Sequence, residues 1–316
     1  MQLTERIYQE LFQAILRGEF RPGQRFPTEQ EAMERFGASR ITVRRAFARL
    51  EENRVISRKQ KVGSVVNTTF AATSGKIGMI GALVPISDHF ARSFLNTLCG
   101  EAARRDAVTV LEPGNSGQEQ NKAVMRLVLH GVRDLVVWGI DRELNLDLFL
   151  RLRILGVNMV FFDRINPGKI ADYVCLDNAE AVRTLLDIAV RQGVRRIFFA
   201  DPLELDIDTN HERLAYCRRE CAARELLFSA EIPAKFPPDS AVFAVNDQVA
   251  LDFAGRGVPV FSIDGLPESR ARGIVSYRQP MTELAQSCFQ ALREQRRLGD
   301  RWKAREYRIA AEEPLA

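Results

Sequence analysis

The run Ser39-Arg40-Ile41-Thr42-Val43-Arg44-Arg45-Ala46 constrains this chain more than any other stretch. Ser39 stands where a helix takes its hydroxyl cap, and the first turns then carry Arg40, Thr42, Arg44 and Arg45. Ile41, Val43, Ala46 and Phe47 are expected to back the helix with apolar surface. A helix start studded with arginine has few structural uses, but a helix that reads a DNA groove requires one.

The flanking residues supply a frame for that helix. Ile7, Leu11, Ile15 and Leu16 recur at helical spacing and predict a first helix ending near Gly18. Phe20 to Pro27 is rich in turn residues, and Thr28-Glu29-Gln30-Glu31 is a capping box that opens a second helix to Phe36, broken at Gly37. The third helix should reach Asn53. Val55-Ile56-Ser57 and Ser64-Val65-Val66 then flank a basic tip, Arg58-Lys59-Gln60-Lys61-Val62-Gly63, and read as a short hairpin. Three helices and a basic hairpin make a winged helix-turn-helix over residues 1–67. Arg40, Arg44 and Arg45 suit guanine edges or phosphates, and Ser39 and Thr42 suit contacts at a helix N-terminus. Arg58, Lys59 and Lys61 give the wing a grip on the DNA backbone or minor groove.

Charge is divided in the same way. Up to Phe70 there are 13 Lys and Arg against 8 Asp and Glu, a balance of +5. The remainder carries 32 against 33, so the basic excess is confined to the first seventy residues and implies a polyanionic partner for that part alone. The five cysteines show no metal-type spacing and no paired framework, which fits buried free thiols in a reducing compartment. The opening residues lack the apolar core of a signal peptide and no segment is long enough to span a bilayer, so a cytoplasmic protein without membrane contact is expected.

Pro22-Gly23, Phe26-Pro27-Thr28-Glu29, Phe36-Gly37, Ser39 to Ala46 and Leu50-Glu51 together resemble the GntR-type winged-helix regulators over residues 3 to 66. The resemblance implies that Glu29, Arg40, Thr42 and Arg44 face DNA. The wing departs from it: of the usual glycine-rich tip only Gly63 remains, with Arg58-Lys59-Gln60-Lys61 replacing the rest.

Residues 68–75 are small and polar and read as a linker. Beyond it, over 76–316, the pattern changes. Apolar runs at Lys76–Val84, Thr109–Leu111, Leu135–Trp138 and Met159–Phe162 alternate with amphipathic stretches near 90–105, 118–130 and 146–155. The alternation restarts after Val174–Asn178, with runs at Arg196–Ala200, Ala241–Val245 and Val260–Ile263. Buried parallel strands with helices on both faces are implied, in two lobes, and ligands bind beyond the carboxyl ends of such strands. Polar residues collect there: Asp88-His89, Asp163-Arg164, Asn246-Asp247 and Asp264. On local grounds alone, Asp177, Asn178 and Asp247 read as caps or turn residues, and Arg213 as a surface ion-pair partner.

This large domain is similar to the LacI/GalR-type effector module, related to periplasmic sugar-binding proteins. The matches are Phe162-Asp163-Arg164, Val174 to Asn178, Gly193 to Ile197, Arg213 to Tyr216, Ala244 to Asp247, Gly257-Val258-Pro259, Ile263-Asp264-Gly265 and Gln279-Pro280. The combination resembles chimeric regulators of the arabinose-repressor type. It implies that Asp163, Arg164, Arg213, Asn246 and Asp264 hydrogen-bond a sugar or similar polar effector, and His89 and Phe90, in the loop after the first strand, are candidates for the same site, each as lid or core. Two departures stand out. The stretch between Arg224 and Ala241 is shorter than usual and holds Pro233, Pro237 and Pro238, and Arg278 occupies a position that favours an anionic ligand.

Enzyme classes find little support: there are three histidines, no HExxH or GxSxG, no glycine-rich phosphate loop and no lysine in a cofactor context. No cofactor or metal is expected. The α/β class, with an N-terminal winged helix-turn-helix and a two-lobed periplasmic-binding-protein-like effector domain, points to a homodimeric repressor of sugar-utilisation genes on a near-palindromic operator. The other reading is a DNA-bound dimeric scaffold whose pocket is degenerate.

Overall fold

The computed structural model describes residues 3–67, 75–85, 89–114, 116–140, 144–202, 206–312 and 315, apart from the His89 side chain. Asp88 and most of the 68–75 linker therefore lie outside the described residues.

Helix α1 (Leu3–Leu16) buries Ile7, Tyr8, Leu11, Phe12 and Ile15. Helix α2 (Glu29–Phe36) starts with the capping box: Thr28 Oγ1 accepts from the Glu31 amide at 3.1 Å, and a Glu31 carboxylate oxygen accepts from the Thr28 amide at 2.6 Å. It stops at Gly37, whose φ of 59° is left-handed. Helix α3 (Arg40–Glu52) is capped by Ser39, which accepts from the Thr42 amide at 3.3 Å. Its buried stripe is Val43, Ala46, Phe47 and Leu50. Ile41 does not join that stripe and is 67% exposed. It stands two residues before Val43, about 200° round the helix from it. Strands β1 (Ile56–Lys59) and β2 (Gly63–Val66) form the wing, antiparallel, with Lys59 opposite Gly63.

The large domain is two parallel sheets. Lobe one contains β3 (Met79–Leu83), α4 (His89–Ala103), β4 (Val108–Leu111), α5 (Gly117–Leu129), β5 (Asp134–Val137), α6 (Leu146–Ile154), β6 (Asn158–Phe162) and β7 (Asp172–Leu176). Lobe two contains α7 (Asn178–Arg191), β8 (Arg196–Ala200), α8 (Asp208–Ala223), β9 (Leu227–Ser229), β10 (Ser240–Ala244), α9 (Asp247–Leu251), β11 (Val260–Asp264), α10 (Pro267–Ala271) and β12 (Val275–Arg278). The chain then returns to lobe one as α11 (Met281–Leu298) and β13 (Glu306–Ile309). The sheets run β13-β7-β6-β5-β3-β4 and β12-β11-β10-β8-β9. Strand segments such as Asn158–Phe162 and Ser240–Ala244 are buried at every position, as strands covered on both faces must be.

The chain passes between lobes after Leu176, after Arg278 and again after Ile309. No helix joins β9 to β10, which accounts for the shortened 224–241 stretch. Phe236 instead covers that part of lobe two, packing edge-on against Phe198 with ring centres 5.7 Å apart.

The winged helix sits on lobe one as a docked unit. Buried residues of α1 and α3 run without interruption into Val124, Leu127, Val128, Val132 and Leu148 of lobe one. Arg151 of α6 donates through Nε to the Leu16 carbonyl at 2.8 Å, so it caps the C-terminus of α1. Arg133 reaches Tyr8 and, at 3.4 Å, the Asn53 side-chain oxygen. Burial lowers the pKa of this guanidinium.

Candidate DNA interface and effector cleft

The face predicted to meet DNA is built from three elements. Arg40, Arg44 and Arg45 are exposed on the first turns of α3, beside the exposed Ile41. Thr42 is half-buried and its hydroxyl lies 2.9 Å from that of Ser39, so the two oxygens hold each other at the helix start. Glu29 connects the parts: its carboxylate is 3.8 Å from Arg44 Nε and 3.3 Å from Arg58 Nη2. Arg58 also donates through Nε to Glu51 at 2.7 Å. It therefore ties the wing to α2 and α3, whereas Lys59 and Lys61 are exposed at the wing tip. Lys61 has φ 65° and Gly63 φ 93°, both in the left-handed region that a tight turn requires. The arginines present a positive reading face with an apolar residue among them, the combination that suits base edges and a thymine methyl.

A second polar site lies between the lobes, at the carboxyl ends of the strands. Its lining includes Phe90, Trp138, Asp163, Arg164, Asp201, Thr209, Asn210, Arg213, Asn246, Asp264 and Gln279, around a cavity of about 40 Å³. Of the residues proposed from sequence, Phe90, Asp163, Arg164, Arg213, Asn246 and Asp264 do converge here. His89 begins α4, with its side chain outside the described residues. Arg278 lies elsewhere: it lines an adjoining hollow of about 480 Å³ with Ser93, Glu283 and Glu312, and Nη2 donates to the Leu315 carbonyl at 3.2 Å. Asp264 and Gln279 belong to both spaces.

Each cleft residue is held by its neighbours. Asp163, at φ 62°, turns the chain just after β6, and its carbonyl accepts from Thr209 Oγ1 at 2.6 Å and from the Tyr173 hydroxyl. Arg164 stacks over the Trp138 ring, 4.8 Å from its centre. Arg213 is buried and not a surface ion-pair partner; Nε donates to Asn178 at 2.9 Å and Nη1 to the Val245 carbonyl at 2.8 Å. Asn246 caps α9, its side-chain oxygen accepting from the Val249 amide at 2.9 Å. Asp177 is the cap expected of it, accepting from the Glu180 amide at 3.0 Å. Asp247 is buried under the cleft floor, where Ser262, Ser276 and the Leu266 amide donate to it.

Asp264 accepts from Gln279 Nε2 at 3.0 Å and from the Asp247 amide at 3.3 Å. Burial, reinforced by the Asp247 carboxylate, pushes its carboxyl up to about 8 against the opposing pull of Arg213. Gly265 beside it, at φ 76°, is a required glycine: a Cβ there would lie 2.6 Å from the Arg278 Cα.

Sequence reasoning missed Trp138, Asp201, Thr209 and Asn210 as lining residues. Trp138 and Asp201 immediately follow β5 and β8, so the rule that located Asp163 after β6 also points to them.

Comparison with known proteins bears on both sites. Residues 3–66 match the family described as bacterial regulatory proteins, gntR family. These residues are a GntR-family DNA-binding domain. Over 65 residues this GntR domain is 38% identical to the mannosyl-D-glycerate transport/metabolism system repressor of Escherichia coli, covering 21% of this chain and 25% of that protein. A longer match, 26% identical over 194 residues, is to the arabinose metabolism transcriptional repressor of Geobacillus stearothermophilus, covering 60% of this chain and 53% of the relative. The chain thus spans about half the length of one curated relative and a quarter of the other.

Behind the GntR domain, the fold is that of the LacI-type and periplasmic-binding-protein regulators. A periplasmic binding protein/LacI regulator from Alkaliphilus metalliredigens, solved with D-xylulofuranose, aligns with TM-score 0.61 at 17% identity, covering 75% of this chain and 97% of its own. A LacI family regulator from Weissella paramesenteroides, with bound sucrose, aligns with TM-score 0.62 at 13% identity, covering 74% of this chain and 96% of its own. Among the described residues no helix is long and apolar enough to cross a membrane.

Proposed function

We propose that this chain is an effector-responsive transcriptional repressor whose operator affinity is set by a small sugar-like molecule held between the lobes. It is a regulator and not an enzyme, working in the cytoplasm as a homodimer on a near-palindromic operator. The observation that carries the reading is the continuity from cleft to winged helix. Gln120, buried at the start of α5, donates to the Trp138 carbonyl at 2.8 Å and accepts from the Ile140 amide at 3.1 Å, so α5 is fixed to the cleft wall. The same region of lobe one carries α1. A change in lobe closure therefore reaches the placement of the recognition helix, and DNA in turn changes effector affinity by the same factor.

The lining favours a neutral polyol over a sugar acid. Asp163 and Asp201 stand against Arg164 and Arg213, Asp264 holds its proton to about pH 8, and Arg278 lies outside the lining. A 40 Å³ space holds little more than a water, so the effector enters an opened form and the lobes close on it. The repressor relatives above support the direction of control. A thermal-shift screen of the full chain against pentoses, hexoses and sugar acids tests this: neutral sugars should raise the melting temperature. The small cavity also favours a second reading, a DNA-bound dimeric scaffold with a self-filled cleft, and a flat screen would establish it.

A further inference from the structure

Among the described residues, two uncharged side chains of the cleft lining each bury a polar atom that has no hydrogen-bond partner. One is the indole nitrogen of Trp138 and the other is Oε1 of Gln279. Trp138 is 1% exposed and Gln279 is 3% exposed, so solvent does not satisfy either atom. Buried indole N–H groups and side-chain carbonyls ordinarily find partners, because leaving one unmade forfeits the hydrogen bond it had in water.

Both residues line the same cavity, one from each lobe, and their polarities are complementary. Trp138 immediately follows β5 and belongs to lobe one, and Gln279 follows β12 at the passage out of lobe two. The first atom is a donor and the second an acceptor. Gln279 is oriented by its own Nε2, which donates to Asp264 Oδ1 at 3.0 Å and fixes the carbonyl end of the amide. Trp138 is oriented by Phe90, edge-on with ring centres 5.5 Å apart, and by Phe162 at 6.1 Å. Arg164 already covers one face of the indole. The ring is therefore poorly placed as a stacking platform, and the contribution left to it is its N–H.

We propose that Trp138 and Gln279 are specificity-determining residues that read one hydroxyl of a polyol effector, Trp138 Nε1–H donating to its oxygen and Gln279 Oε1 accepting its proton. A hydroxyl is a donor and an acceptor at once, so one group satisfies both orphans. A deoxy analogue leaves both unmet, and sites of this kind reject such analogues far more strongly than apolar pockets reject a methylene. The inference rests on the cleft being the effector site and adds which groups discriminate among ligands there.

The test is calorimetric titration of the full chain with D-ribose, D-xylose and L-arabinose and with the mono-deoxy forms of each. In the wild type, one deoxy position should weaken binding more than the others. Trp138→Phe keeps the aromatic packing and removes the N–H, and should weaken the parent sugar about tenfold. It should leave the affinity for that one deoxy form unchanged. Gln279→Met should show the same selective pattern, and it decides the matter if Trp138→Phe fails to fold. Loss of affinity spread equally over the parent and every deoxy form, or no loss at all, would overturn the proposal. Absence of heat with every sugar in the wild type would instead remove the polyol reading of the cleft, and this assignment with it.

Discussion

The face proposed to read DNA and the interlobe cleft both use arginine, in opposite ways. On α3, Arg40, Arg44 and Arg45 project into solvent, and the nearest carboxylate, Glu29, stands 3.8 Å from Arg44. In the cleft, Arg213 is buried with two of its nitrogens donating at 2.8 to 2.9 Å, and Arg164 lies on an indole. On the proposed reading the first set meets a partner that brings its own charge, as the phosphate backbone does, and counterion release supplies the affinity. The second set is part of the protein's own bonding, so it shapes a cavity as well as offering contacts. Arginines of the first kind should be expendable for folding and those of the second kind should not.

The largest effect should follow from removing the exposed set. Thr42→Ala with Arg44→Ala should weaken binding to a selected operator at least about a hundredfold in gel-shift assays. The melting temperature of the large domain should stay within a degree or two of wild type. Retained operator affinity would refute the recognition-helix assignment.

Arg213→Met tests the other side of the comparison. It strands Asn178 Oδ1 and the Val245 carbonyl, and an unmet buried acceptor costs about 1–3 kcal/mol. Chemical denaturation should show a loss in that range, together with loss of sugar binding. An unchanged midpoint would mean that this arginine is as expendable as Arg44.

The two sites also differ in how much of them was legible in the sequence. The DNA face rests on local rules: the Thr28 capping box, the Ser39 cap and the Gly63 turn each sit within a few residues of what they control. Ile41 was the exception, because the helix could be phased only by committing to which neighbours are core. In the cleft, Asp163 and Asp264 are legible because the first directly follows, and the second ends, a strand that reads clearly. Trp138 and Asp201 obey the same rule yet look like the last residue of an apolar run and a loop residue. The return of α11 and β13 to lobe one was not legible, since an amphipathic helix does not declare which sheet it covers. Docking of α1 was equally hidden: Arg133 and Arg151 look like ordinary surface charges until Tyr8, Asn53 and the Leu16 carbonyl are brought to them.

A smaller effect separates the sites by pH. Asp264 holds its proton up to about pH 8, whereas an unfolded aspartate loses it near 3.8. Between those values the native state binds the extra proton, so this group makes the protein less stable as pH rises through the window. Asp264→Asn should flatten that slope and raise the melting temperature by a few degrees at pH 8, with little gain at pH 5. An equal gain at both values would show that Asp264 ionises normally. The Thr42→Ala, Arg44→Ala protein leaves Asp264 and its neighbours in place, so it should keep the wild-type slope.

The smallest effect concerns what joins the two regions. Arg151 donates to the Leu16 carbonyl from a partly buried position, and such a helix-end contact is worth about 0.3–1 kcal/mol. Arg151→Ala should therefore barely change global stability. Its consequence lies in the seat of the winged helix on lobe one: amides in the last turn of α1 should exchange with solvent several-fold faster. If α5 and α6 carry the cleft's state to the DNA face, this variant should also shrink the change in operator affinity that a bound sugar produces. Operator affinity without sugar and sugar affinity without DNA should both stay near wild type. Coupling is a difference between states, and a contact that differs between them can be lost without harming either end. Faster exchange with undiminished coupling would place the transmission elsewhere.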